Sequence, residues 1–429
     1  MVIQFGVSNF LSYHDKTVVQ FLTNSKETKF TDTDCVGNRF YNCLKYAALF
    51  GSNASGKSSF IKAVQFFVSS VKNNSTFRRA TNLYCRTRKE HQDEPTTFEM
   101  VLVLDDTFYQ YGFSVLLKDG SIVDEYLNRV TPSTKATNEI FHRNTRIINL
   151  DLGAKAKRDL DFKLEDSIQR NILFLTSIGS LPETSVEYRQ DLRVLYDVYN
   201  YISSKIIVID KKSQSQYLFV TNKIDKDFDL LLQRFDFNIE HVKKKKVDVD
   251  MLFSSIPNDL VSKIQTRLRG GENDVLNLLL NNKLYSFKLE NDRINASHIF
   301  FKHFNSESDF EYPEESDGTL RIMDFIPITF LVKDDVTFFI DEIEQSLSSD
   351  VVVNFFKILR DNNNNAQILF TTHLDRLFDR NYFRKDEMYI VNKDVNGESH
   401  FVRFNQFASN DNINDKFVDG RFGGRPNIF

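Results

Sequence analysis

Gly51-Ser52-Asn53-Ala54-Ser55-Gly56-Lys57-Ser58-Ser59 decides how the rest of this chain is read. It fits the pattern G-x(4)-G-K-[ST], and its neighbours suit that pattern. The segment from Tyr41 ends in the apolar run AALF, which predicts a buried strand. The segment after it, FIKAVQFFVSSV, has the apolar period of a helix. Glycine lets such a loop curl so that successive N–H groups point at phosphate oxygens. The helix N-terminus adds its positive end. Gly51, Asn53, Ser55, Gly56, Lys57, Ser58 and Ser59 are therefore expected to cradle a nucleotide. Lys57 would reach the β- and γ-phosphates and act in catalysis. The Ser58 hydroxyl would bind Mg²⁺. The expected cofactors are ATP and Mg²⁺.

A phosphate loop of this kind needs an acidic residue at the end of a buried strand to hold the metal. Thr337-Phe-Phe-Ile-Asp341-Glu342 supplies one. Asp341 is expected on the metal side, and Glu342 is expected to orient or deprotonate the attacking water. The next apolar strand, QILFTTH, ends in His373, placed to sense the γ-phosphate. Ahead of both lies Glu315-Ser316-Asp317-Gly318-Thr319-Leu-Arg321. A Ser-x-Gly turn opening a helix offers N–H groups and a hydroxyl, so Ser316 and Gly318 join the nucleotide-binding set.

The rest of the chain is organised around these pieces. Residues 2–7 alternate like a strand, and 97–130 read as three antiparallel strands broken at Asp105-Asp106 and Asp119-Gly120. From about 155 to 206 the pattern is helical, with a candidate helix start at PETS (182–185). Residues 210–300 are polar and mixed, with the run Lys243–Lys246 and the turn Gly270-Gly271. From 325 the reading is strand FIPITFLV, strand VTFFIDE, helix VVVNFFKILRD, strand QILFTTH, then short strands at 388–391 and 400–404. The expected fold class is α/β, with antiparallel N-terminal strands, a parallel core and a mainly helical central insertion. The expected domains are an N-terminal lobe at 1–155, an insertion at 156–305 serving as lid or oligomerisation arm, and a C-terminal lobe at 306–429.

Composition agrees with a large folded protein. The chain has 429 residues, 41% hydrophobic and 27% charged, with 41 Phe and no Trp. The net charge of −4 does not demand a nucleic-acid or anionic-membrane partner. Cys35, Cys43 and Cys85 lack the paired spacing of a zinc site and read as reduced thiols. The N-terminus lacks a signal-peptide pattern and no 18-residue apolar run exists. A cytoplasmic protein with no membrane partner is expected.

The ordered set resembles the ABC-type ATPase heads of the SMC/RecF/OLD group. More narrowly, it resembles the small OLD-like, AAA-type ATPases of anti-phage defence and abortive-infection operons, such as those of PARIS-type systems. The resemblance is carried by FGVSNFLSYHD, GSNASGKS, FEMVLVLDDTFYQYGFSV, ILFLTS, ESDGTLRI, FFIDEIEQSL, TTH, FRKDEMYIV and GRFGGRP. It covers both ends of the chain and only loosely the middle. Two departures stand out. The signature reads SDGT rather than SGG, and Ser348-Ser349 follow DEIEQSL where the branch usually has His-Pro.

The resemblance implies a homodimer or higher homo-oligomer that sandwiches ATP, with Ser316 and Gly318 acting on the nucleotide of the opposite chain. It also implies a sensor or scaffold that holds or releases a toxic effector in response to a phage-encoded trigger. The stretch after His373 reads as too short for a Toprim nuclease domain, so that effector is expected on a separate chain. Asp248 and Asp250 read as solvated surface rather than a metal pair. The competing reading is a RecF/SMC-like DNA-repair ATPase with DNA as partner, which Lys243–Lys246 would favour. A pure ATP-binding scaffold would have no use for Glu342. Arg421 and Arg425 in the tail are read as either surface charge or a docking element.

Overall fold

The computed structural model describes residues 1–73, 77, 80–132, 134, 136–150, 154–181, 192–210, 230, 233–235, 238–269, 275–406, 413 and 417. The expectations for PETS, for Gly270-Gly271 and for the GRFGGRP tail lie outside the described residues. The chain divides into two compact units. The first comprises Met1–Asp210, Asp334–Ile343 and Asn364–Phe429; the second comprises Lys211–Lys333 and Glu344–Asn363.

Along the first unit run β1 (Val2–Ser8), β2 (Thr17–Gln20), β3 (Cys35–Gly37), β4 (Asn42–Leu44), β5 (Tyr46–Phe50) and α1 (Lys57–Lys72). Then come β6 (Thr96–Leu104), β7 (Thr107–Leu116), β8 (Ser121–Thr131), β9 (Ala136–His142) and β10 (Ile147–Ile148). Helices α2 (Ala154–Gln169), α3 (Phe174–Gly179) and α4 (Arg193–Asn200) lead into β11 (Ile206–Ile209). The helical expectation for 155–206 therefore holds across these described segments. β1, β2 and β6 to β10 form one antiparallel sheet in the order β10-β9-β8-β7-β6-β1-β2. Its alternating buried side chains meet α1 in an aromatic core. The Phe67 ring stacks on Phe113 at 5.6 Å and meets Phe5 edge-on at 5.4 Å. Each fully buried ring of this kind contributes roughly 1.5–3 kcal/mol.

The second unit contains β12 (Ile239–Val247), α5 (Val249–Ser254), α6 (Asn258–Arg269), β13 (Val275–Leu280), β14 (Lys283–Glu290), β15 (Arg293–His303) and β16 (Asp309–Glu311). It also contains α7 (Asp317–Leu331) and α8 (Ser349–Asn362). Two expectations change here. The described residues of the middle are helical up to 205, but over 239–311 they form mostly an antiparallel sheet, ordered β12-β15-β14-β13 with β16 on β15, that carries only the short helices α5 and α6. The hairpins turn at Asn281-Asn282 and Asn291-Asp292, all four with positive φ, the two-residue turn that matches strand twist. FIPITFLV is not a strand but the second half of α7, with Pro327 inside it. A short apolar run does not separate strand from buried helix by periodicity. The Ser316 cap and the length settle it.

Lys243–Lys246 lie on β12. Lys243 and Lys245 both pair with Asp309, at 2.7 and 3.0 Å. Their hydrogen bonds hold the Asp309 carboxyl down at about 2. Asp248 accepts a hydrogen bond from Met251 N as the cap of α5, and both Asp248 and Asp250 are exposed, as expected.

The remaining strands of the first unit are β17 (Thr337–Ile340), β18 (Gln367–Thr372), β19 (Met388–Lys393) and β20 (Ser399–Arg403). The core sheet runs β11-β17-β18-β5-β19-β20, parallel from β11 to β19, with β20 antiparallel at the edge. β18 lies between β5 and β17. The phosphate loop, Asp341 and His373 thus leave the sheet side by side at the carboxyl ends of parallel strands, where open α/β sheets bind ligands. Gln367 ties the antiparallel sheet to this core: its amide oxygen accepts from Val2 N at 2.6 Å and its amide nitrogen donates to Val2 O at 2.9 Å.

Candidate functional site

The loop after β5 adopts the shape its sequence demands. Gly51, Ala54 and Gly56 have φ of 155°, 63° and 117°. A side chain at Gly51 would meet Val391 O at 2.5 Å, and one at Gly56 would collide with the Ser399 side chain. Tyr13 Oη donates to Gly56 O at 2.8 Å and Ser399 Oγ donates to Ser55 O at 2.6 Å, holding the loop from behind. Burial keeps the Tyr13 phenol well above its usual range, so it stays a donor. α1 begins at Gly56 with no side-chain cap and no acid in its first turn. Its first N–H groups and its positive dipole end face the loop.

Lys57 Nζ donates to Gly51 O at 2.6 Å, to Ser52 O at 2.9 Å and to His373 Nδ1 at 3.3 Å. An ammonium only donates, so Nδ1 accepts; in the neutral ring the proton then sits on Nε2. That nitrogen lies 3.5 Å from Glu342 Oε1. Ser58 Oγ donates to Asp341 Oδ1 at 3.0 Å, and Thr371 Oγ1 donates to the same oxygen at 2.7 Å. Thr371 Oγ1 also accepts from Glu342 N at 2.7 Å. Glu342 has φ of 47°, rare for a long side chain without a left-handed preference. Its neighbours hold it there: Asp341 N donates to Ile209 O at 2.8 Å and Ile343 N to Thr371 O at 3.1 Å. Backbone strain held by its surroundings marks functional positions.

Lys57, Ser58, Asp341, Glu342 and His373 therefore meet at one edge. Ser55 joins them with a buried hydroxyl that has no hydrogen-bond partner among the described residues, as a phosphate cradle would leave it. Asn53 is exposed on the loop tip, and Ser59 lies in the first turn of α1. Ser58 and Asp341 offer two hard oxygen donors at hydrogen-bond distance, a set suited to Mg²⁺ held partly through water.

Ser316 and Gly318 belong to the second unit. Ser316 caps α7, its Oγ accepting from Thr319 N at 3.1 Å. Glu315 just before it is buried and takes His303 Nε2 at 2.8 Å. A side chain at Gly318 would meet Ser346 O at 2.8 Å. Ser348, standing where the resemblance would place His, caps α8 through Val351 N at 3.4 Å.

Sequence reasoning passed over Thr371, Tyr13 and Ser399. Thr371 was visible only as one of two threonines before His373. Tyr13 lay within FGVSNFLSYHD without an assigned role. Ser399 carried no signal.

These features together define a P-loop nucleotide-binding fold: a parallel core carrying loop, acid and histidine, beside an antiparallel sheet. The chain belongs to the family described as "AAA domain, putative AbiEii toxin, Type IV TA system", which matches residues 47–379. No curated protein matches it. Solved structures that are similar include an Smc head bound to the C-winged helix domain of ScpA, 14% identical with a TM-score of 0.44, covering 94% of this chain and 97% of that one. The SMC head domain from Thermotoga maritima is 12% identical, with a TM-score of 0.41 and coverage of 94% and 98%. A Pyrococcus furiosus Smc head bound to the C-terminal domain of ScpA is 15% identical, with a TM-score of 0.40 and coverage of 94% and 95%. Among the described residues, no helix is long and apolar enough to cross a membrane.

Proposed function

We propose that the chain binds and slowly hydrolyses ATP as the sensor or scaffold subunit of a bacterial anti-phage system, working in the cytoplasm. The observation that carries the catalytic half is the chain of contacts from Ser58 through Asp341 and Thr371 to Glu342, with His373 linking Glu342 to Lys57. In this reading Lys57 leaves its backbone carbonyls for the β- and γ-phosphates. Glu342 takes the proton of the attacking water. His373 holds Glu342 in place and senses the γ-phosphate. Ser58 and Asp341 would hold Mg²⁺, which neutralises charge on the phosphates when bound. Ser316 and Gly318 would close on the nucleotide of a second copy, so that ATP state sets assembly.

The defence half rests on the toxin-related description of the family and on the motif resemblance, PARIS-type systems included. The nucleotide-dependent oligomer would hold a separately encoded effector, a Toprim nuclease, until a phage product releases it. The test is copurification. Tagged Glu342→Gln protein is expressed with its neighbouring genes and isolated with ATP and Mg²⁺. A stoichiometric neighbour-encoded nuclease or toxin supports the reading. DNA as the sole companion, with DNA-stimulated hydrolysis, moves the function to RecF-like repair.

A further inference from the structure

We propose that His14, His91 and Glu398 form a binding site for a divalent transition metal of the Zn²⁺ class, separate from the nucleotide site. One ligand atom from each lies within 4.8 Å of the others. Imidazole and carboxylate are the donors such ions take, and three protein ligands leave a position for water.

The arrangement goes beyond proximity, because the second atom of every ligand is already held. His14 Nε2 lies 3.0 Å from Glu94 Oε2. That carboxylate accepts the ring proton and leaves the Nδ1 lone pair, which stands 4.0 Å from Glu398 Oε2 and 3.5 Å from Asp15 Oδ1. His91 Nδ1 donates to Cys85 O at 3.1 Å, so Nε2 keeps the lone pair; Thr87 Oγ1 is 3.3 Å from the same Nδ1. Thr87 Oγ1 also donates to Glu398 Oε1 at 3.1 Å. Metal sites carry these outer partners, which fix ring orientation and raise ligand basicity. Burial adds to the case, with His91 2% and Glu398 7% exposed.

The His14 and His91 rings lie parallel with centroids 3.8 Å apart. Metal capture would therefore draw the ring of His14, the more exposed of the two, out of this stack while His91 stays anchored, and the exposed Glu94 carboxylate can follow it. The site would fasten three separate segments beside the phosphate loop. Ser399, next to Glu398, is the residue that donates to Ser55 O and can accept from Ser12 Oγ at 2.8 Å. Asp394 and His400 share Glu398 in a second, more exposed set, with His400 Nε2 at 3.4 Å from Asp394 Oδ2.

The test is Co²⁺ titration of tag-free, nucleotide-free, full-length protein, read by visible absorption and by metal analysis. The expected result is one Co²⁺ per chain, displaced by Zn²⁺, and a thermal midpoint raised by Zn²⁺. His14→Ala, at the most exposed ligand, weakens uptake at least about tenfold and removes the Zn²⁺ effect on melting. Glu398→Gln does the same, whereas His400→Ala and Asp341→Asn leave uptake unchanged. Absence of stoichiometric uptake, uptake undiminished in His14→Ala, or loss in His400→Ala or Asp341→Asn instead would overturn the proposal.

Discussion

Two helix N-termini in this protein, both proposed to meet a phosphate, are built in opposite ways. α1 starts at Gly56 with no side-chain cap and no acid in its first turn. α7 starts at Ser316, which caps its own helix, with Asp317 in the first turn. The first terminus has no side-chain cap and no acid against its dipole and puts a lysine there. The second has already satisfied one donor and carries a negative charge. A terminus without a cap or an acid is suited to an anion. A capped and acidic one attracts a phosphate less and needs added positive charge to balance it. The difference suits a protein in which α1 binds the nucleotide and α7 completes a site begun elsewhere.

The largest effect separates binding from chemistry at the α1 edge. Glu342→Gln should lower kcat by about 10²- to 10⁴-fold, the usual contribution of a general base. ATP affinity should stay within about threefold of wild type, since the carboxylate acts in the transition state rather than in binding. Single-turnover hydrolysis and equilibrium titration measure the two parts. Hydrolysis at the wild-type rate would remove Glu342 from the mechanism and with it the reason for its strained backbone.

The second prediction tests whether α7 works on another chain. Lys57→Ala and a Ser316→Ala/Gly318→Ala double variant should each be inactive alone. Mixed in equal amounts, they should recover about a quarter of wild-type turnover, because half the two-fold dimers would then keep one intact site of two. No recovery, with both variants still dimeric, would place α7 in its own chain's site and dissolve the contrast.

How far the contrast was legible in the sequence depends on what each residue advertises. Asp341, Glu342 and His373 follow apolar runs and Lys57 closes a Gly-rich loop that follows one, and strand ends in a parallel sheet gather at one edge. Side-chain type and spacing were enough. Thr371 was not legible, because which of two adjacent threonines points toward Asp341 depends on strand alternation and register. The second unit was misread for a different reason. Asn281-Asn282 and Asn291-Asp292 are turn pairs of the same kind as Asp105-Asp106, which was read correctly. Around Asp105-Asp106 the flanking strands alternate over a buried core. Around the asparagine pairs VLNLLL does not alternate, and KLYSFKLE and RINASHIFFKH mix polar residues into both faces, so the turn signal lost its context. The FIPITFLV stretch failed because a helix buried all round has no polar face to reveal its period.

Thr371 sharpens the α1 side at a smaller scale. Thr371→Val keeps the shape and removes the hydroxyl that donates to Asp341 and receives Glu342 N. Two buried hydrogen bonds vanish and Glu342 N is left unsatisfied. A loss of about 1–2 kcal/mol in transition-state stabilisation, or roughly tenfold in kcat/KM, is expected. The acid test is the split between parameters. If Thr371 only positions the two acids, kcat falls and ATP binding without Mg²⁺ does not. An equal loss of Mg²⁺-free ATP binding would make it a ligand of the nucleotide itself.

The smallest effect concerns Ser348, which stands where the resemblance would place His. Its side chain accepts from Val351 N at the start of α8. Ser348→Ala should cost about 1 kcal/mol of stability through loss of that cap, read as a lower denaturant midpoint with unchanged slope. Ser348→Asp keeps a capping oxygen and adds a favourable charge at the helix start, so it should recover that loss. A capping residue explains the sequence departure without any role in ATP chemistry, and it predicts that Ser348→Asp turns over ATP as wild type does. If Ser348→Asp is as stable as wild type yet hydrolyses ATP several-fold more slowly, the Ser348 hydroxyl takes part in the assembled site. The second unit would then contribute more to that site than the turn at Ser316 and Gly318.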